Sequence, residues 1–184
     1  MSRDESSISW SRRGMLAGLV GLSGCGFRPL YGPVSAADGN LEAELAAVRV
    51  GPVYERTGQL LRRSLQRRFE DTQPGTPARY MLSVAYDLGS EILGYRQDGG
   101  ITRVRYTLMG TWNLSTMSTP PQRIAASSIP FRELDSFNIP DLQFFAADSS
   151  RDAALERLMD GLSDEIARQV ALELRRRKES PATG

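Results

Sequence analysis

The sequence predicts one α/β (α+β) domain over residues 41–178, a two-layer sandwich whose four-stranded sheet is mixed or mostly antiparallel. Three observations predict this fold. Two consecutive segments alternate apolar and polar residues, as strands with one buried face do. Two other segments carry apolar residues at helical spacing. The elements follow in the order β-α-β-β-β-α, so two helices can cover one face of the sheet.

The first strand and the first helix are predicted from short patterns. A short strand within residues 45–53 has valines on one face, and the helix then runs from Gly58 to about Glu70. Thr57 precedes this helix and is its predicted N-cap, because a threonine hydroxyl accepts a hydrogen bond from the first turn. The helix presents an apolar stripe of Leu61, Leu65 and Phe69. Since a helix connects this strand to the next, that pair can be parallel.

The central strands carry the clearest alternation, over residues 79–88 and 101–114. Asp98-Gly99-Gly100 between them is typical of a hairpin turn. One face of the first strand carries Tyr80, Leu82, Val84, Tyr86 and Leu88, and one face of the second carries Thr102, Val104, Tyr106, Leu108, Trp112 and Leu114. A weaker strand is predicted at 122–131, after the turn at 119–121.

The last element is a long predicted helix that follows an irregular segment at 136–143. Ser149-Ser150-Arg151-Asp152 resembles a capping box, so the helix is expected from there to about Arg177. Its apolar stripe comprises Leu155, Leu158, Met159, Leu162, Ile166, Val170 and Leu174. Basic residues close it, which suits the negative end of the helix dipole. Residues 179–184 are predicted to be a disordered tail.

The N-terminus has the order of an export signal. The apolar run Met15–Leu22 follows two arginines and is shorter than the ~20 residues of a membrane-spanning helix. Leu-Ser-Gly-Cys25 resembles the bacterial lipobox. This resemblance implies removal of residues 1–24, with S-diacylglycerol and an N-acyl chain on Cys25, and residues 25–40 are then a lipidated N-terminus and flexible tether. The alternative is a buried thiol at Cys25. The arginine pair fits both the Sec and the twin-arginine route.

Composition excludes several classes of function. With 23 basic and 22 acidic residues, the chain lacks the basic excess of a general nucleic-acid binder. It contains no histidine, which removes Ser-His-Asp and Cys-His catalysis and the commonest metal ligand. Carboxylates such as Glu133 and Asp135 look like a solvated loop pair. We therefore expect no catalytic residue, no metal site and no cofactor beyond the covalent lipid.

A family resemblance lies at residues 24–32, which read Gly-Cys-Gly-Phe-Arg-Pro-Leu-Tyr-Gly. This segment and the element order resemble the lipopolysaccharide-assembly lipoprotein family LptE in its alphaproteobacterial form. The resemblance implies a lipid-anchored outer-membrane protein, on the periplasmic side, that is not an enzyme. It also implies that the protein plugs and helps assemble the β-barrel LptD and assists lipopolysaccharide transport to the outer leaflet. Gly26, where inner-membrane lipoproteins usually carry aspartate, agrees with outer-membrane transfer.

Three arginines are candidate contacts to lipopolysaccharide or to a partner: Arg96 near the hairpin tip, and Arg103 and Arg105 on the polar strand face. A guanidinium binds phosphate with two parallel hydrogen bonds. The alternative is that these are ordinary solvated strand residues.

Two other functions stay open. The first is a lipid-binding accessory lipoprotein of an envelope ABC-type transport system. Such a protein would need a cavity or groove that shields acyl chains, whereas the predicted helices cover the whole apolar face of the sheet. An envelope hydrolase is disfavoured by the missing histidine.

Overall fold

The computed structural model describes residues 36–141 and 143–179, with side chains from Leu41 onward. The predicted signal peptide, Cys25 and residues 180–184 lie outside the described residues. The elements are α1 (Ala36–Ala46), β1 (Val48–Val50), α2 (Glu55–Arg68), β2 (Tyr80–Tyr95), β3 (Ile101–Thr116), β4 (Arg123–Ala126), β5 (Phe131–Asn138) and α3 (Phe144–Glu179). The first helix begins inside the segment predicted as a tether.

The sheet is mixed, as the sequence predicts. Its order is β1-β2-β3-β4, and β5 also pairs with β3. β1 runs parallel to β2, with Val48 opposite Tyr80, and the other pairs are antiparallel. β2 and β3 form one long hairpin of two 16-residue strands. Its turn has Gly99 at φ +84°, a backbone conformation that glycine adopts without the steric cost of a side chain.

The sheet has five strands where the sequence predicts four. The predicted weak strand at 122–131 is two strands, β4 and β5, which pair with the two halves of β3 along one edge. The predicted irregular segment is wrong at 136–138, which belong to β5. Glu133 and Asp135 lie on the side of β5 that faces the helices. Because charged residues occupy this side, the sequence of β5 lacks the apolar–polar alternation that predicts a strand. Asp135 forms an ion pair with Arg157 of α3 at 2.8 Å.

The helices begin earlier than the capping signals indicate. α2 has Tyr54 as its N-cap residue without a side-chain cap, so the prediction of Thr57 is wrong. Glu55 adopts a left-handed φ of 67°, and the chain enters the helix there. α3 contains the predicted capping box at 149–152 within its second turn. No glycine or proline lies between Phe144 and that segment, so no helix-breaking residue prevents the helix from beginning at Phe144.

The core lies between the sheet and the layer formed by α2 and α3. Both predicted helix stripes and the predicted strand faces contribute to it. A Cβ at Gly110 of β3 would lie 2.6 Å from Cδ1 of Leu162, so the missing side chain lets α3 approach the sheet. Between the helices, Nε of Arg68 donates to Oδ1 of Asp164 at 2.6 Å. The opposite sheet face presents exposed residues such as Ala85.

Side chains occupy the outer edge of β1. The backbone N–H of Val50 donates to Oε1 of Glu70 at 2.9 Å. The guanidinium of Arg49 donates to the carbonyl of Val48 at 3.3 Å and to that of Ala46 at 2.8 Å. These contacts use backbone groups that an incoming strand would need.

The described domain has two distinct ends, because α3 has 36 residues and is therefore about 54 Å long. The hairpin end holds the β2–β3 turn and the start of α3, and an ion pair links Arg96 of the turn to Asp141, three residues before α3. The α1 end holds α1, the start of β2 and the last turns of α3. There the hydroxyl of Tyr80 donates to Oε2 of Glu44 at 2.6 Å.

Candidate functional site

The outer face of the hairpin, on the side away from α2 and α3, carries two of the three candidate arginines. Arg103 and Arg105 lie two residues apart on β3, opposite Asn138 and Ser136 of β5. Nη2 of Arg103 donates to Oγ of Ser136 at 2.8 Å. Arg103 forms no ion pair with any residue that the structure describes, so no described carboxylate competes with an anionic ligand for this guanidinium.

Arg105 has a carboxylate neighbour across the hairpin. Its Nη1 lies 3.5 Å from Oε2 of Glu91, the residue opposite it on β2. The two side chains are 43% and 65% exposed, and an ion pair so open to water contributes little free energy. A phosphate can therefore displace this carboxylate at small cost, especially if both arginines bind it.

Arg96 belongs to the turn and not to the outer-face pair. Its guanidinium lies 3.4 Å from Asp98 and 3.4 Å from Asp141. It packs against Gly100, where an added Cβ would lie 2.5 Å from Nη2. The backbone N–H of Gly100, and secondarily Arg96, lower the pKa of Asp98. Arg96 therefore stabilises the hairpin tip, and its guanidinium already interacts with two carboxylates.

A third arginine on the outer face was missed from the sequence. Arg132 lies opposite Met109, exposed on the outer face of β5, and it forms no ion pair within the described part of the chain. Because β5 itself was not predicted, no sequence signal placed this residue beside Arg103 and Arg105. The outer face therefore presents three exposed or half-buried arginines on two neighbouring strands.

A groove of about 330 Å³ lies between α2, α3 and the sheet. Leu88 and Tyr106 form its floor, and α2 and α3 form its walls. The charged side chains that line it are Arg56, Arg151, Asp152 and Glu156. Its volume is at the lower limit of ordinary ligand pockets, and its lining mixes charges of both signs. The groove is not an apolar chamber of the kind that shields acyl chains.

Metal-ligand clusters and membrane-spanning helices are both absent from the described residues. In residues 36–141 and 143–179, no three acidic, histidine or cysteine side chains are grouped as metal ligands would be. None of the helices in that part of the chain combines the length and the apolar character needed to cross a membrane.

Solved structures of lipoproteins are similar to this chain. A putative lipoprotein from Caulobacter crescentus CB15 is 21% identical, with a TM-score of 0.60 over 78% of this chain and 99% of that chain. The rare lipoprotein B from Shewanella oneidensis is 12% identical, with a TM-score of 0.45 over 67% and 91% of the two chains. No curated protein sequence matches the chain.

The family comparison covers the domain itself. Residues 45–170 match the family model described as LptE, lipopolysaccharide-assembly, from the residues before β1 to the second half of α3. This stretch is well over half of the chain, and it contains all five strands and the whole of α2. The chain therefore belongs to the LptE family of lipopolysaccharide-assembly proteins.

Proposed function

We propose that this protein is an outer-membrane lipoprotein that plugs and helps assemble an LptD-type β-barrel and assists lipopolysaccharide transport to the outer leaflet. The observation that carries the proposal is the family match over residues 45–170, which assigns the chain to lipopolysaccharide assembly. The protein does no covalent chemistry in this role. Its work is to bind, to fill space and to guide the folding of its partner.

The uncovered sheet face supports a role inside a barrel. Large outer-membrane barrels have a polar lumen that stays open to water unless something fills it. The outer face carries exposed polar and charged residues, among them Ser83, Asp87 and Arg132, with scattered apolar ones such as Met109 and Leu134. Such a surface stays soluble alone and forms hydrogen bonds and ion pairs with a polar wall.

The lipid on Cys25 would hold the protein at the inner leaflet, beside the periplasmic opening of the barrel. One acyl chain alone gives marginal binding, at about 0.8 kcal/mol for each buried methylene, so a diacylglycerol with an added N-acyl chain gives lasting attachment. The lipobox-like Leu-Ser-Gly-Cys25 after a short apolar run supports this modification.

Arg103 and Arg105 are the best-placed contacts for lipopolysaccharide phosphates. They lie two residues apart on one face of β3, and neither is held by a strong ion pair with a described residue. Arginine forks give short, charge-assisted hydrogen bonds to phosphate oxygens. Arg96 is the weaker candidate because Asp98 and Asp141 already engage it.

The test is to purify a C-terminally tagged form from detergent-solubilised outer membranes and to identify the co-purifying proteins by mass spectrometry. We expect a large β-barrel of the LptD type in equal molar amount. Recovery of the lipoprotein alone, or with inner-membrane transporter subunits, would overturn the plug role and favour the accessory-carrier alternative.

A further inference from the structure

The last turns of α3 carry four consecutive basic residues, Arg175 to Lys178. The first two are paired within the helix: Arg175 lies 3.3 Å from Glu179, and Arg176 lies 2.8 Å from Glu173. Arg177 and Lys178 are exposed and form no ion pair with any described residue. The helix therefore ends in two cations that no described carboxylate neutralises.

These cations lie at the α1 end of the domain. Arg177 is close enough to Tyr80 to act electrostatically on its phenol, and that phenol donates to Glu44 of α1. Arg79 beside it is half exposed and is neutralised by the same glutamate at 2.9 Å. The basic end of α3 and the helix through which the chain enters the domain are therefore neighbours.

Chain length ties this end to the proposed lipid. α1 begins at Ala36, eleven residues after Cys25, and eleven residues reach at most about 40 Å when fully extended. α3 is longer than that, at about 54 Å. The start of α1 can therefore lie no farther than about 40 Å from a lipid on Cys25, whereas the hairpin end can extend farther from it.

We propose that the basic end of α3, residues 175–178, binds the anionic phospholipid headgroups of the leaflet that holds the Cys25 lipid. The distance of this basic end from the membrane depends on the proposed lipid anchor, whereas its positive charge does not. Clustered Lys and Arg side chains bind anionic membranes electrostatically within about one Debye length of the surface. A second, weak contact of this kind orients a tethered domain, because the anchor keeps its local concentration at the surface high.

The experiment uses the chain from Gly26 to Gly184, which keeps every described residue but carries no lipid. Its binding is measured by flotation with vesicles of phosphatidylcholine alone or of an equal mixture with phosphatidylglycerol, at low and high salt. The test variant is Arg177→Gln with Lys178→Gln. The matched control is Arg56→Gln with Arg63→Gln, which removes from α2 two exposed cations that form no ion pair with a described residue. Circular dichroism checks that each variant is folded.

We expect salt-sensitive binding to the phosphatidylglycerol vesicles alone, reduced about 30-fold in the α3 variant and little changed in the α2 variant. Equal losses in both variants would mean that only net charge matters and would overturn the proposal, as would binding that ignores phosphatidylglycerol. The intact mass of the membrane-extracted protein tests the Cys25 lipid separately. Failure of the anchor and failure of the basic surface are therefore distinguishable.

Discussion

Gly110 gives the sharpest test of how α3 packs on the sheet. In Gly110→Ala the new Cβ would lie 2.6 Å from Cδ1 and 2.9 Å from Cδ2 of Leu162, a side chain with no exposed surface. Since close-packed neighbours leave Leu162 little room to move, overpacking should cost about 1–3 kcal/mol. Alanine is less flexible than glycine in the unfolded chain, and this difference stabilises the folded protein by about 0.5–1 kcal/mol. The expected net loss is therefore about 1 kcal/mol, within a range of roughly 0 to 2.5 kcal/mol.

Urea unfolding of the chain from Gly26 to Gly184 measures this loss, and Gly89→Ala is the matched control. A Cβ at Gly89 on β2 meets nothing nearer than the carbonyl of Thr107 at 3.9 Å, so this variant should be as stable as the parent or slightly more stable. The double variant Gly110→Ala, Leu162→Ala should lose less stability than the two single variants combined, because truncating Leu162 makes room for the new methyl. Strict additivity, or a Gly110→Ala protein as stable as Gly89→Ala, would refute the close approach.

Three further predictions concern the anchor, the candidate site and pH. Cys25→Ala should lack acyl mass at its N-terminus and leave the membrane fraction; a variant that stays bound to the outer membrane would show that protein contacts suffice. Arg103→Gln should weaken lipopolysaccharide capture about tenfold, as expected for one charge-assisted phosphate contact, whereas Arg96→Gln should have little effect. The reverse order in a pull-down would contradict the outer-face assignment. Hydrogen bonds from Arg168 hold the pKa of Glu165 below its ordinary value, so its stabilising effect is present at neutral pH and is lost as the pH falls through that lowered pKa. Glu165→Gln should therefore be less stable than the parent at pH 7 and equal to it in acid, and a pH-independent difference in urea midpoints would argue against this ion pair.

The long hairpin and the helix stripes were predictable because their patterns are unbroken. Period-two alternation from Tyr80 to Leu88, a Gly-Gly turn and a second alternating run leave one economical pairing. The predicted placement of Arg103 and Arg105 on one face follows from that same period, and the structure has both there. Their role in binding stays a prediction.

The remaining features depend on contacts that no local pattern records. β5 was not predicted because Asp135, on its helix-facing side, is charged where a strand pattern has an apolar residue. In the structure Asp135 forms an ion pair with Arg157 of α3. Arg96 forms an ion pair with Asp141, which lies 45 positions further along the chain. The capping signals failed for another reason: the residues before them are already helical, from Glu55 in α2 and from Phe144 in α3, so the preferred start at Thr57 or Ser149 was never used.

The side chains on the outer edge of β1 limit how copies of this protein can polymerise. A sheet grows into a filament only when each copy offers two open edges, one to each neighbour. Here Glu70 already accepts from Val50 and Arg49 already donates to Val48, so that edge is closed to backbone pairing. β1 covers β2 only from Tyr80 to Leu82, so pairing between copies can still involve the rest of β2 and the β4–β5 side. The short strand β1 therefore removes one site at which a second copy could extend the sheet.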